Sequence, residues 1–514
     1  MKKFLQERKR IICILAPLGL GMVYLVLCMA GLQHAASTSE AYNAYLVRFD
    51  LSGIWELAAT STEPPLYLFV LKIWAHIFGH ADFALRMMSA MIGALAILVA
   101  YLWMKYKYGA TAAIVSVFLL AIAPFFVRVG QEIGAFTLAI LIVIAASFAL
   151  DLALNNRRKI WWAIYVLLIA AGLWTSYFCA LTWLAHAIYL AKKYGKKIWR
   201  NKMLLAYLAA LILWLPWLPS ALRQESTVQP FEHADFSLVS VANAATETFV
   251  YAEATETKNI ALVLCLIAAA STAFLLIRSR KKMSLLNSAW IAPMTGLILL
   301  AAGSTRINFD LWTVSFAGVI FMLSTGVGWT IFAREKNAQK KRRGKQKLPS
   351  RHALLATSSG VILCTTLICG LASVHAYKDY DLCLTQRHSA DVLYENIVEF
   401  DFGQKLPIVV TSPSLYYELS TYGTAENPVT FIDENIGTGY GFVEPLHRSY
   451  FGKIANIEKF LAEHDAIWLV DYEPTDSAQL DFPYEGWRMT TRSDLHFSKD
   501  GEMYQILKLE KEQI

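Results

Sequence analysis

The sequence predicts a polytopic α-helical membrane protein of about 11 spans, with an exterior segment that carries an interfacial helix and a small C-terminal α/β domain. Three observations predict it. Hydrophobic residues fill 56% of the 514 positions and charged residues 17%, against about 25% charged in soluble domains. Apolar runs at 11–32, 83–104, 110–127 and 353–374 approach the roughly 20 residues that cross a hydrocarbon core. Lys and Arg gather at 2–10, 105–107, 157–159, 192–202, 278–282 and 334–351, which together hold 29 of the 47 basic residues. If spans alternate, all six clusters fall on one side, which the positive-inside rule makes cytoplasmic. Lipid phosphate and cytosol solvate such clusters, so no nucleic-acid partner is expected.

The spans are placed at 11–32, 83–104, 110–128, 133–153, 160–177, 178–193, 203–220, 259–277, 286–303, 311–333 and 353–375. The first follows a basic n-region, yet it is longer than a signal-peptide core and lacks a small-residue cleavage site, so it reads as a retained helix. An odd number of spans then puts the C-terminus outside. Residues 1–376 form the transmembrane domain. Within it, 33–82 is the first exterior segment. There Pro64 and Pro65 open an apolar, aromatic stretch, which predicts a helix over 64–79 lying along the outer surface. A second exterior loop, 221–258, carries six acidic residues against two basic ones.

Residues 377–514 carry 24 acidic and 11 basic residues. Short strand-like runs at 407–411, 429–432, 466–470 and 504–509 alternate with helix-like runs at 414–421 and 454–464, which predicts a small exterior α/β domain. Six of the seven cysteines lie in apolar segments without metal-ligand spacing, so neither a disulfide framework nor zinc is expected. His34, His76, His80 and His186 also lack partners at ligand spacing and read as surface or satisfied residues.

Charged residues beside a span are costly near lipid and therefore informative. Those at predicted outer ends are Glu40, Glu63, Arg86, Arg128, Glu132, Arg223 and Arg306. Arg residues can hold an anionic lipid head group while a carboxylate handles a proton or a cation. Plainer roles stay open beside these. Glu40 can be a first-turn residue after the N-cap candidates Ser37 and Ser39. Glu63 can offset a helix dipole. Gln131 and Glu132 can form only a polar turn. Arg86 and Arg306 can pair locally with Asp82 and Asp310, each one helical turn away.

Three stretches, Ser39-Glu40-Ala41-Tyr42-Asn43, Thr62-Glu63-Pro64-Pro65-Leu66-Tyr67 and Phe83-Ala84-Leu85-Arg86, resemble the opening of the GT-C superfamily of membrane glycosyltransferases. The nearest branch is the bacterial family-39 type, related to protein O-mannosyltransferases and lipid A aminoarabinose transferases. The likeness continues through Ala123-Pro124-Phe125, Gln131-Glu132, Trp174-Thr175-Ser176-Tyr177-Phe178, Leu215-Pro216-Trp217 with Arg223, and Arg306. It implies a GT-C-like fold, a polyprenyl-phosphate-linked sugar donor, an acceptor hydroxyl and inversion at the sugar carbon. Glu40 would be the base, and Glu63 would bind a divalent cation or position the acceptor. Arg86 and Arg306, with Arg128 or Arg223, would hold the donor phosphate. Tyr67, Gln131, Glu132 and Tyr177 would line the substrate site. No other cofactor is implied. The pattern departs from the family at Ser39, Gly134, Phe136 and Ser176, where an acid, an Arg, a Tyr and a His are expected. Two other classes fit the sequence less fully. One is a catalytically silent scaffold or glycan-binding protein, which the departures favour. The other is a lipid-linked sugar transporter, which would show internal repeats that are absent here.

Overall fold

The computed structural model describes residues 2–29, 32, 37–59, 61, 63–156, 158–195, 202–227, 284–303, 311–343, 390–410, 413–431, 454, 457–473, 486–496 and 503–512. The expected spans at 259–277 and 353–375, most of the 221–258 loop, and Arg306 lie outside these residues.

Helix α1 (Lys2–Met29) is followed by three helices in the first exterior segment, α2 (Thr38–Leu46), α3 (Leu51–Ala58) and α4 (Leu66–Phe78). The sequence indicated only α4. Its Tyr67, Leu68, Leu71 and Ala75 are buried on one face, while Ile73, Ile77 and Phe78 are exposed on the other, a stripe of helical period. Asp50 caps α3, its carboxylate accepting from the Gly53 N–H at 2.8 Å.

Helix α5 (Asp82–Tyr108) stops at Gly109, whose φ of +90° suits glycine. The expected single span over 110–128 is instead two helices, α6 (Ala110–Ala121) and α7 (Pro124–Gly130), bent by 66°. Pro124 cannot donate a helical hydrogen bond but fits a first turn, so the chain restarts there. Next come α8 (Phe136–Asn155), α9 (Ile160–Leu173), α10 (Cys179–Tyr194) and α11 (Lys202–Trp214), which runs through a 3₁₀ turn at Leu215–Trp217 into α12 (Leu218–Thr227). At 14 residues, α9 is about 21 Å long, shorter than the expected span over 160–177. Helices α13 (Ser284–Gly303) and α14 (Leu311–Arg343) complete the described helical part. Among the described residues three helical stretches are long and apolar enough to cross a membrane, Asp82–Tyr108, Phe136–Asn155 and Met203–Gln224, or four if the bent pair is one span.

Around α5, α6, α8 and α14 the helices share one apolar core. Close approach is set by small residues: a Cβ on Gly326 of α14 would press on the Ser116 backbone of α6, and the Ser116 hydroxyl donates to the Leu323 carbonyl at 3.0 Å. Several of the polar groups inside are matched. Asp151 accepts from Trp103 Nε1 at 2.6 Å and from Lys107. His186 contacts the Ser147 and Tyr165 hydroxyls at 3.0 and 3.1 Å, the satisfied histidine that the sequence suggested.

The C-terminal part contains α15 (Ala390–Phe400), β1 (Ile408–Val410), α16 (Pro413–Ser420), β2 (Val429–Phe431), α17 (Ile457–Glu463), β3 (Ala466–Glu473), β4 (Trp487–His496) and β5 (Met503–Lys511). The sheet order is β2-β1-β3-β5-β4, with β1 parallel to β2 and β3, and β5 antiparallel to β3 and β4. A second apolar core joins this part to α2, α3 and α4. Tyr42 and Tyr45 of α2 meet Tyr417 of α16 edge to face, with ring centroids 5.1 Å apart in both cases. The Tyr422 hydroxyl reaches Asp82 at 3.2 Å. The sheet part therefore braces both α2 and the start of α5.

Candidate active site

Glu40 is the third residue of α2, and Ser37 its N-cap, in a capping box. The Ser37 N–H and hydroxyl donate to Glu40 Oε2 at 3.1 and 3.3 Å. Arg86 of α5 approaches the same carboxylate as a fork, Nε to Oε1 at 2.8 Å and Nη2 to Oε2 at 3.0 Å, while its Nη1 donates to the Leu32 carbonyl at 3.0 Å. The Ile133 N–H adds a further bond to Oε1 at 3.0 Å. One helical turn after Glu40, Asn43 donates to the Ile133 carbonyl at 2.8 Å. Helix α2 thus grips both backbone groups of Ile133 and fixes the turn between α7 and α8.

Glu40 and Arg86 are 1% and 0% exposed, and five donors converge on the carboxylate. The Arg86 guanidinium donates to Glu40 and to the Leu32 carbonyl. The local Asp82–Arg86 pair yields to this longer-range fork because a buried carboxylate with capped oxygens matches a buried guanidinium better than an edge carboxylate does.

Glu132, in the turn that Ile133 anchors, pairs with Arg128 four residues earlier and feels the charge of Glu40. Neighbouring carboxylates oppose each other's ionisation. Burial, opposed by Arg128 and reinforced by Glu40, raises the pKa of the Glu132 carboxyl. Its neighbour Gln131 donates to the Cys28 and Leu27 carbonyls at 3.1 and 3.4 Å. Gln131 therefore caps the end of α1.

Glu63 lies half-buried in the turn between α3 and α4. Burial pushes its carboxyl up to about 7. Among the described residues that carboxyl accepts no hydrogen bond, although its backbone carbonyl accepts from Ser61 Oγ at 3.3 Å and from Gln224 Nε2 at 3.1 Å. Tyr67 is the second residue of α4 and 1% exposed. Its phenol contacts Ser89 at 3.4 Å and feels the charges of Glu63, Glu40 and Glu132, which add to burial in raising its pKa.

The remaining expected residues are distributed differently. Arg223 is exposed on α12. The Tyr177 hydroxyl donates to Gln224 Oε1 at 2.5 Å and accepts from Trp217 Nε1 at 2.8 Å. Gly134 lies under the Phe136 ring, where an added Cβ would come within 3.2 Å of it; the two departures from the family pattern fit each other. Among the described residues no three His, Cys, Asp or Glu side chains could hold a metal ion, so Glu63 gains no co-ligands there. Sequence reading missed Asn43 and Gln224. The first stands at i+3 from Glu40 and was findable; the second had only its neighbour Arg223 to mark it.

Residues 62–219 match the family described as dolichyl-phosphate-mannose-protein mannosyltransferase. Over 120 residues the chain is 28% identical to the Bacillus subtilis (strain 168) protein YkcB, named as a mannosyltransferase, a stretch that is 23% of this chain and 16% of that protein. The fold matches the crystal structure of ArnT from Cupriavidus metallidurans in the apo state, with a TM-score of 0.57, 11% identity and 98% of each chain covered. It also matches ArnT bound to undecaprenyl phosphate, with a TM-score of 0.55, 12% identity, and 96% and 97% coverage of this chain and that one. In sequence over 62–219, and in fold over nearly its whole length, this membrane-embedded chain resembles the GT-C, family-39-like glycosyltransferases.

Proposed function

We propose that this protein is a membrane glycosyltransferase that moves a sugar from a polyprenyl-phosphate-linked donor to an acceptor hydroxyl, with inversion. The acceptor is a cell-envelope glycan, lipid or protein. The reaction takes place on the outer face of a bacterial cytoplasmic membrane, with the N-terminus in the cytoplasm and 377–514 outside. One observation carries this reading: the segment that matches the family holds Glu63, whose carboxyl is pushed up to about 7 by burial, together with the buried Arg86 and the Glu132–Arg128 pair. ArnT, whose fold it shares, has been solved with undecaprenyl phosphate bound, which supports a donor of that class.

In the proposed reaction Glu63 takes the acceptor proton as the acceptor oxygen attacks the anomeric carbon. The bond from that carbon to the phosphate oxygen breaks, and its electron pair leaves with the lipid phosphate. A base with a pKa near the working pH is close to optimal for this transfer. Glu40 positions the turn that carries Glu132. We assign Arg128 to the donor phosphate, with Arg306 and Arg223 as further cations that the resemblance implies. A divalent cation at Glu63 remains compatible and would require ligands outside the described residues or from the substrate.

A silent scaffold is the second reading, favoured by the departures at Ser39, Gly134, Phe136 and Ser176. Purified protein presented with a panel of polyprenyl-phosphate sugars and acceptor lipids or glycans separates the two. Sugar transfer that is lost in Glu63→Gln supports the enzyme. No transfer from any donor, or transfer indifferent to Glu63→Gln, overturns it.

A further inference from the structure

The Glu63 turn is held from an unexpected direction. Gln224, 3% exposed on α12, spends its whole amide on this task. Its Nε2 donates to the Ala58 carbonyl at 2.6 Å and the Glu63 carbonyl at 3.1 Å, and its Oε1 accepts from Tyr177 at 2.5 Å. Tyr177 is fixed in turn by Trp217 Nε1, and Trp217 packs edge to face on Trp55 of α3 with centroids 5.0 Å apart. One side chain therefore ties both ends of the 59–63 turn to the helix that leads into residues 228–258. Ser61 also bridges that turn, donating to the Ala58 and Glu63 carbonyls at 3.1 and 3.3 Å.

We propose that Gln224 is a positioning residue for Glu63, holding its turn closed against α12 through two amide donors, with Tyr177 acting through Gln224 and not on the substrate. This rests on the assignment of Glu63 as the base. An amide suits the position because two backbone carbonyls and one phenol hydroxyl require two donors and one acceptor on a single planar group. No carboxylate, hydroxyl or apolar side chain offers that set. The raised pKa of Glu63 supports the picture, since a turn closed in this way keeps water from the carboxyl.

Gln224→Met keeps the approximate shape and removes all three bonds; Tyr177→Phe removes one and leaves both donors to the turn. The test measures sugar-transfer rate against pH, and separately titrates the Glu63 carboxyl by infrared difference spectroscopy between each background and the same background carrying Glu63→Gln. Misplacing a reacting group by about 1 Å costs on the order of 10²-fold. Gln224→Met should lower kcat by about that factor, with a smaller change in KM, and move both the acid limb and the infrared titration of Glu63 downward. Tyr177→Phe should change both in the same direction by less. An unmoved Glu63 titration in folded Gln224→Met overturns the proposal even if activity falls, and so does a larger effect from Tyr177→Phe than from Gln224→Met. If Gln224→Met does not fold, Tyr177→Phe alone decides, by whether its titration moves down. A wild-type protein without transfer would defeat the enzyme reading, while the infrared titration would still judge Gln224.

Discussion

Burial and the Glu40 charge bias Glu132 toward its neutral form, so the two carboxyls should behave as a pair that shares one proton and one negative charge, with strongly non-additive substitutions. Glu40→Gln leaves an oxygen for Arg86 Nε and Ile133, but turns the other acceptor into an amino group facing Arg86 Nη2 and Ser37, three donors in all. A buried Arg stripped of its partner costs about 3–5 kcal/mol. Here Glu132 can answer. Without the Glu40 charge its raised carboxyl ionises more readily and partly neutralises Arg86, so the single variant should cost about 1–3 kcal/mol in lost hydrogen bonds. Glu132→Gln replaces a group biased toward its neutral form and should cost less than about 1 kcal/mol. The double variant has no carboxylate left for two buried guanidiniums, and its loss should exceed the sum of the singles by about 2 kcal/mol. Denaturant unfolding of the detergent-solubilised protein at pH 7, followed by far-UV circular dichroism, measures all three. Additivity within about 0.5 kcal/mol, or a Glu132→Gln variant as damaged as Glu40→Gln, would refute the shared-proton account.

Other expectations concern packing, folding of the sheet part, and pH. Gly326→Ala would force a methyl against the Ser116 backbone and should cost about 1–3 kcal/mol in the same unfolding assay, whereas Gly19→Ala, with open space around it, should not destabilise. Asp401→Asn should unfold the sheet part at lower denaturant, because the buried carboxylate accepts from Trp468 Nε1 at 2.9 Å and from the Lys405 and Leu406 N–H groups. Proteolysis at fixed denaturant reads that out. The folded-state pKa of Glu63, about 7, exceeds its ordinary value of 4.5, so between those values the folded chain keeps a proton that the unfolded chain releases. Glu63 therefore lowers stability as pH rises through that window, and Glu63→Gln should remove that part of the pH dependence; identical slopes for the two proteins would contradict the shift.

The sequence made α4 legible because Pro64-Pro65 marks a helix start and the following apolar stretch has helical period. The break inside 110–128 was hidden, since Ile122-Ala123-Pro124 is as apolar as its flanks and hydropathy does not register a 66° bend. Strand β4 was missed because Trp487–His496 carries Arg488, Arg492 and Asp494, as an edge strand does to discourage pairing. Glu40, Glu63, Arg86, Arg128 and Glu132 could be picked out as costly charges near lipid. Their partnering could not, because Glu40 and Arg86 stand 46 residues apart and Asp82 offers a nearer carboxylate in the sequence. Only the fold decides that Glu40 is enclosed by five donors while the Glu63 carboxyl accepts no hydrogen bond among the described residues.

Proton transfer to Glu63 is tested most directly by single-turnover sugar transfer from a polyprenyl-phosphate donor, measured from about pH 5 to 9 in wild type and Glu63→Gln. The account predicts a wild-type rate that falls about tenfold per unit below pH of about 7, and a Glu63→Gln rate lower by about 10²–10⁴-fold without that limb. A Glu63→Gln protein that transfers sugar at the wild-type rate, with the acid limb still in place, would contradict it.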